Sequence, residues 1–510
     1  MPVARTWALA LIGLDGTLIE VEADISAQLP AFVIIGLGDR SLREAEGRVR
    51  QAVSNSGCRL AARRITVNLS PASLPKHGAG FDLAIALACL AADGVIDRAS
   101  VDQVVHIGEL GLDGRLRPTP GVLPAVRAAV REGRSTVMVP VANADEARLV
   151  PGADIIAVPS LRDAAIHHGA DLAARPVEAI TAPPVPDVEP ESLDIADVIG
   201  QSDAVDALET AAAGGHHLMM LGPPGSGKTM IAERLPGILP DLSIDEALET
   251  ASVGSLAGQP FGGALRLRPG YEAPHHTATA AAIIGGGSGT IRPGAAARAV
   301  NGVLFLDEAP EFDRTVLDAL RQPLESGIIT IHRAHAVARF PGRFQLVIAA
   351  NPCPCGQYGA ADGHCTCPPA SIRRYLGRLS GPLRDRVDIQ LSVSRVSAAH
   401  LQASASVDRP RSSDVRARVT EARARAAERL RSTPWTRNSE VTGAWLRGDG
   451  AVPRSVTAGI DRALERGSLT MRGYDRVLRV AWTISDLAGT EQPTAEHVGK
   501  ALYLRKGMTP

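Results

Sequence analysis

The sequence predicts an α/β protein: a parallel sheet carrying a phosphate-type loop, preceded by a smaller α/β domain and followed by a helical one. Three observations predict it. The apolar run Leu218-Met219-Met220-Leu221 feeds directly into Gly222-Pro223-Pro224-Gly225-Ser226-Gly227-Lys228-Thr229, a buried strand passing through a Gly-rich turn into a helix. Two later apolar runs, Val303 to Leu306 and Gln345 to Ala350, end in Asp307-Glu308 and Asn351, polar side chains at the edge where parallel sheets hold ligands. Between Ala174 and Pro190 stand five prolines, the composition of an extended linker.

These breaks divide the chain. Residues 1–172 mix short strand-like runs (Ile65 to Leu69, Thr136 to Pro140) with Ala-rich helical stretches. Residues 173–192 form the linker, 193–395 the nucleotide-binding module, and 396–510 an Arg- and Ala-rich helical region reached through a loose connection, Ser404 to Ser413. Hydrophobic residues make up 45% of the 510 and charged residues 21%, as in ordinary globular proteins. A formal net charge of -1 confines any nucleic-acid contact to local basic patches. The opening Arg5 to Ile12 imitates a secretory signal but lacks a cationic start and a cleavage site, and runs into Gly13 to Gly16 like a strand and turn. No run of about 18 apolar residues is present, so the expectation is a cytoplasmic protein without a membrane partner.

The loop residues Gly222, Pro223, Pro224, Gly225, Ser226, Gly227, Lys228 and Thr229 fit a nucleoside triphosphate. Glycines let backbone N–H groups turn inward around phosphate oxygens, Lys228 reaches the β/γ-phosphates, and the Thr229 hydroxyl ligates Mg²⁺. Only four lysines occur in the chain, which makes one at this position more telling. Downstream, Asp307 is expected to support Mg²⁺ and Glu308 to polarise the attacking water. Asn351 can orient that water through its amide.

The order of these motifs resembles the AAA+ ATPases of the magnesium-chelatase/MCM branch, and most closely the ComM/YifB family. The likeness is carried by Gly214-Gly215-His216-His217, Pro274-His275-His276-Thr277-Ala278, Asn301 to Glu308, Asn351-Pro352-Cys353-Pro354-Cys355-Gly356, and Leu379 to Arg386, and it covers nearly the whole chain. It implies a Lon-protease-like (ribosomal S5 domain 2-like) N-terminal domain, an AAA+ module with a chelatase/MCM-type insertion, and a C-terminal helical lid. It also implies ATP between subunits, with Arg386 as the finger inserted by a neighbour, Arg472 as the second sensor, and self-association as a hexameric ring. The Lon-type nucleophile falls at Gly80 and its lysine at Leu123, so the domain is expected to be proteolytically dead.

In MCM-like helicases two hairpins of the module grip DNA. Here they correspond to the stretches around Ile283 to Pro293 and Thr330 to His335, which nominate Arg292, Arg333 and His335 for phosphate contacts of little sequence preference. Solvated loops packing on neighbouring subunits are the competing reading. Two departures weaken the transfer: Ala295-Ala296-Ala297 stand where the family carries an acidic residue, and Val300 stands where His is common.

Four of six cysteines cluster as Cys353-x-Cys355 and Cys365-x-Cys367. Structural zinc, free thiols and a redox pair all remain open for them. The resemblance favours a motor acting on single-stranded or branched DNA in recombination or integration of foreign DNA. The alternative is a chelatase-like remodelling ATPase acting on a protein or in metal insertion into a porphyrin. A nucleotide-dependent scaffold is the non-enzymatic option.

Overall fold

A computed structural model describes residues 3–36, 42, 44–181, 193–287, 291–333, 336–359, 365–397, 402 and 409–506. The chain opens with β1 (Ala4–Ile12) and β2 (Asp15–Ser26), paired antiparallel from Ala4 opposite Ala23 to Ile12 opposite Asp15. Gly13, in the left-handed region at φ 66°, makes the tight turn between them. Alternate residues Ile19, Val21, Ala23 and Ile25 face inward, the period-two burial of a half-covered sheet.

The sheet is completed by β3 (Ala31–Ile35), β4 (Arg64–Ser70) and β5 (Val105–His106). A side hairpin of β6 (Glu109–Leu110) and β7 (Leu116–Arg117) precedes β8 (Thr136–Pro140) and β9 (Asp154–Val158). The order in the main sheet is β3-β4-β2-β1-β5-β8-β9. The helix Asp82–Ala92 is buried almost all round, and packs on β1 and β2. Each of its fully buried leucines and isoleucine contributes about 1.5–3 kcal/mol.

The second sheet contains β10 (Leu218–Leu221), β11 (Tyr271–Glu272), β14 (Val303–Leu306), β17 (Gln345–Ala350) and β18 (Ile389–Ser392), in the order β11-β14-β17-β10-β18 and parallel throughout. Two hairpins leave it: β12 (Gly285–Gly286) with β13 (Arg292–Pro293), and β15 (Ile328–Arg333) with β16 (Ala336–Pro341). They lie against each other. A methyl on Gly285 would meet Ile331 Cδ1 at 2.9 Å, and one on Gly286 would meet Arg333 Nη2 at 3.1 Å.

The C-terminal helices Ser412–Arg429, Arg454–Glu465, Met471–Ala488 and Ala495–Lys506 share one apolar core with the helix Ser202–Gly214 and with β10 and β18. The first begins at Ser412, inside the stretch that the sequence reads as a loose connection. Ser412 N donates to Asp194 Oδ1 at 2.9 Å, and Ser412 Oγ accepts from Ile195 N at 2.8 Å. Partners more than two hundred residues upstream thus fix the helix start. The N-terminal domain docks through its helix Val122–Arg131 on the helix Ile244–Ala257, with Arg127 Nη1 donating to Ser252 Oγ at 3.1 Å. Gly13 forms a bridge with Arg339 in β16. No helix among the described residues is long and apolar enough to cross a membrane.

Candidate nucleotide site and the opposite edge of the sheet

Strand order decides which side chains meet. Because β17 lies between β14 and β10, Asn351 at its end stands between the loop after β10 and Asp307-Glu308 after β14. Gly225 and Gly227 take φ 75° and 85°, which turns the loop back on itself before the helix Lys228–Glu233. Gly222 admits no side chain, since a methyl there would sit 2.1 Å from the Val393 carbonyl.

Lys228 is buried, and its ammonium donates to the carbonyls of Gly222 (2.8 Å) and Pro223 (3.0 Å) and to Asn351 Oδ1 (3.2 Å). Burial lowers its pKa, opposed by the nearby carboxylates of Asp307 and Glu308. The Thr229 hydroxyl donates to Asp307 Oδ2 at 2.7 Å, so a hydroxyl and a carboxylate oxygen converge on one point. That hard-oxygen donor pair suits Mg²⁺. Glu308 occupies the left-handed region at φ 49°, an uncommon conformation for a side-chain-bearing residue. Its Oε2 lies 3.5 Å from His276 Nδ1, and its N–H donates to Asp307 Oδ1 at 2.9 Å.

Arg386 and Arg472 lie elsewhere. Asp388 N donates to the His217 carbonyl, just before β10, so the segment carrying Arg386 sits at the edge where β10 and β18 begin. The phosphate-type loop leaves the other end, separated by the four residues of β10, about 13 Å. A cavity of about 590 Å³ at this starting edge is lined by Arg386, Arg472, Arg476, Arg479, Glu325 and Asp388 among others. Arg386 pairs with Glu325. Burial and the guanidinium groups of Arg321, Arg476 and Arg472 lower the pKa of Arg386. Among the described residues, the buried Nε atoms of Arg321, Arg386, Arg476 and Arg479 have no hydrogen-bond acceptor.

A buried network fastens the lid to this edge. Asp388 accepts from Arg476, which also donates to the Arg386 carbonyl at 3.1 Å. Its other oxygen lies 3.1 Å from His216 Nδ1, whose Nε2 lies 2.8 Å from Thr483 Oγ1. Burial alone would raise the pKa of Asp388, but Arg476 and His216 hold its carboxyl well below the usual range. Neither Arg476 nor Asp388 stands out as a site residue in the sequence; the i, i+4 spacing of Arg472 and Arg476 on one helix face is the signal that points to the first. Gln201, which does not stand out either, donates to the Ser226 carbonyl at 2.6 Å.

Arg292 and Arg333 are exposed on the two stacked hairpins, and His335 lies outside the described residues. The departures at Ala295, Ala296, Ala297 and Val300 are all buried in the core beneath those hairpins, where an acidic side chain would be desolvated without a partner. The sulfur atoms of Cys353, Cys355, Cys365 and Cys367 all lie within 4.8 Å of one another. The backbone N–H of Gln357 and the thiols of Cys353 and Cys367 draw the Cys355 thiol down to about 6.

Comparison with known proteins gives three family matches that tile the chain: "Magnesium chelatase, subunit ChlI" over residues 194–401, "Subunit ChlI of Mg-chelatase" over 21–143, and "Magnesium chelatase, subunit ChlI C-terminal" over 409–505. The competence protein ComM of Haemophilus influenzae is 40% identical over 507 residues, 99% of this chain and 98% of that protein. The chain belongs to the ComM/YifB family of magnesium-chelatase-like AAA+ proteins. YifB of Escherichia coli is 39% identical over 500 residues (97% of this chain and 96% of YifB). An uncharacterised protein of Mycobacterium tuberculosis is 46% identical over 509 residues, 99% of each. A Lon protease of Mycolicibacterium smegmatis is 33% identical over 156 residues, 29% of this chain and 19% of that protein. Membership of this ComM/YifB family implies ATP and Mg²⁺ as cofactors and assembly into oligomers.

Proposed function

We propose that this protein is a hexameric ATP-hydrolysing motor that acts on single-stranded or branched DNA during recombination or the integration of foreign DNA. The observation that carries the motor is the division of one sheet into two half-sites. Lys228, Thr229, Asp307, Glu308 and Asn351 gather at one edge, and Arg386 and Arg472 at the other. Head-to-tail stacking of subunits in a ring would bring the second set of one against the first set of the next.

In that arrangement Lys228 would bind the β/γ-phosphates, and Thr229 with Asp307 would hold Mg²⁺, whose charge would offset that on the transferring phosphoryl group. Glu308 accepts a proton from the attacking water, and Asn351 orients that water. Arg386, assisted by Arg472, stabilises charge developing on the γ-phosphate. DNA is the favoured partner because the exposed Arg292 and Arg333 lie on neighbouring hairpins, and because a full-length relative is named a competence protein. The three chelatase family matches support a second reading, a remodelling ATPase acting on a protein partner.

Subunit mixing tests the half-site division. Lys228→Ala and Arg386→Ala should each be inactive alone, whereas co-assembled rings regain ATP hydrolysis because some interfaces pair an intact loop with an intact arginine. Co-assembly without recovery would remove the trans assignment of Arg386.

A further inference from the structure

The segment joining β17 to the helix Pro369–Leu376 carries no helix or strand among its described residues, yet it brings four thiols to one point. We propose that Cys353, Cys355, Cys365 and Cys367 bind one Zn²⁺, and that this knot clamps the phosphate-type loop through contact between Gly356 and Pro224.

The sulfur spacing supports the metal. Cys353 Sγ lies 3.3 Å from Cys355 Sγ and 3.7 Å from Cys365 Sγ, and the Cys355 and Cys365 sulfurs are also 3.7 Å apart. A tetrahedral site with Zn–S bonds of about 2.3 Å has sulfur–sulfur edges of about 3.8 Å. All four thiols are free, and a set made of sulfur alone selects Zn²⁺ over the oxygen-seeking Mg²⁺. The backbone is shaped for it. Gly356 and Gly359 take φ 75° and 76°, Gly356 N donates to the Cys353 carbonyl at 2.9 Å, and Tyr358 N donates to Cys353 Sγ at 3.4 Å. An irregular segment of this kind gains a fixed shape from a metal cross-link, and its four thiols lose their protons as the metal enters. Exposed Cys355 gives the ion a route in, while Cys353 is fully buried against the end of β17.

Contact with the loop supplies the consequence. A methyl on Gly356 would sit 2.4 Å from Pro224 Cδ and 2.6 Å from Cγ, so the backbone of the knot lies flat on that pyrrolidine ring. Two residues before Cys353, Asn351 accepts from Lys228. The loop is therefore held from the same chain segment at both its Pro-Pro turn and its lysine. Loss of the metal frees the hold on the Pro-Pro turn. The clamp rests on the nucleotide reading of residues 222–229; the metal site does not.

The test uses the full-length protein, with zinc measured by plasma mass spectrometry and nucleotide affinity by fluorescent mant-ATP. Wild-type protein should carry about one zinc per chain. Cys355→Ser, checked for retained helicity by circular dichroism, should lose it and bind mant-ATP about tenfold more weakly. Chelator-stripped wild type should behave likewise and recover on adding ZnCl₂. Gly356→Ala should bind mant-ATP more weakly, because the added methyl meets Pro224 and the left-handed backbone there resists a side chain. Wild-type protein without zinc, even after incubation with ZnCl₂, overturns the metal site. Zinc whose removal leaves mant-ATP affinity unchanged, or a Gly356→Ala protein of wild-type affinity, overturns the clamp. Zinc-loaded wild type that binds no mant-ATP overturns the clamp together with the nucleotide reading and leaves the metal site standing.

Discussion

Lys228 donates to Asn351 Oδ1 across 3.2 Å, joining the start of the helix Lys228–Glu233 to the end of β17, 123 residues apart in the chain. The contact places the amide at the phosphate-type loop, where it is expected to orient the attacking water. Asn351→Ala is expected to lower the turnover number about a hundredfold, as loss of a charge-stabilising polar group does, with little change in mant-ATP affinity. Steady-state kinetics beside equilibrium binding checks this; parallel losses in both would make Asn351 a binding residue instead.

Hairpin arginines should act on DNA through phosphates. Arg292→Ala and Arg333→Ala are each expected to weaken binding equally across sequences and to reduce the slope of log affinity against log salt by about 1. Fluorescence anisotropy from low to moderate salt on two unrelated oligonucleotides measures both effects. An unchanged slope would return these hairpins to the role of packing loops.

Asp388 is almost fully buried between Arg476 and His216. Removing its charge leaves a guanidinium without its buried counter-ion, which costs about 3–5 kcal/mol. Asp388→Asn should therefore lower the urea midpoint of the module and lid together, since they share one core. Thr483→Val, which removes a neutral hydroxyl from the same network, should cost only about 1–3 kcal/mol. Equal effects of the two substitutions would mean that the Asp388–Arg476 pair contributes little.

The N-terminal domain contains a buried chain of Ser100, His168, His106 and Thr6, with the two imidazole Nε2 atoms 2.9 Å apart. Burial lowers the His168 pKa to about 4 and holds that of His106 well below its ordinary value, with neighbouring histidines adding to both shifts. Unfolded histidines titrate near pH 6.5, above both. Between those values the unfolded chain binds more protons than the folded one. Stability is therefore full above pH 6.5 and is lost as pH falls toward 4, by about 1.4 kcal/mol per pH unit for each histidine. Urea unfolding read by hydrogen exchange in β1 and β5 at several pH values should show this slope, and His168→Gln should flatten it.

The sequence made the sheet legible where its signal is local. The apolar run before Gly222 and the run from Val303 to Leu306 both form strands with those limits. Family membership was legible from short motifs such as Pro274 to Ala278, and full-length relatives bear it out. The relationships that organise the rest are long-range. The His216–Asp388 contact spans 172 residues, and the approach of Gly356 to Pro224 depends on how two loops leave adjacent strands. No residue pattern announces either one. The alanines at 295–297 are instructive in the same way: a departure from the family pattern in the sequence becomes a set of small residues in a closed core.

In the proposed motor, ATP hydrolysis is coupled to DNA. The most direct measurement is the steady-state ATPase rate of purified protein with and without a forked or four-way DNA junction, at low and moderate salt, beside Glu308→Gln. Junction DNA should raise the rate of wild-type protein, more at low salt, and Glu308→Gln should abolish hydrolysis with or without DNA. Vigorous wild-type hydrolysis indifferent to every junction and salt concentration would contradict DNA coupling and favour remodelling of a protein partner.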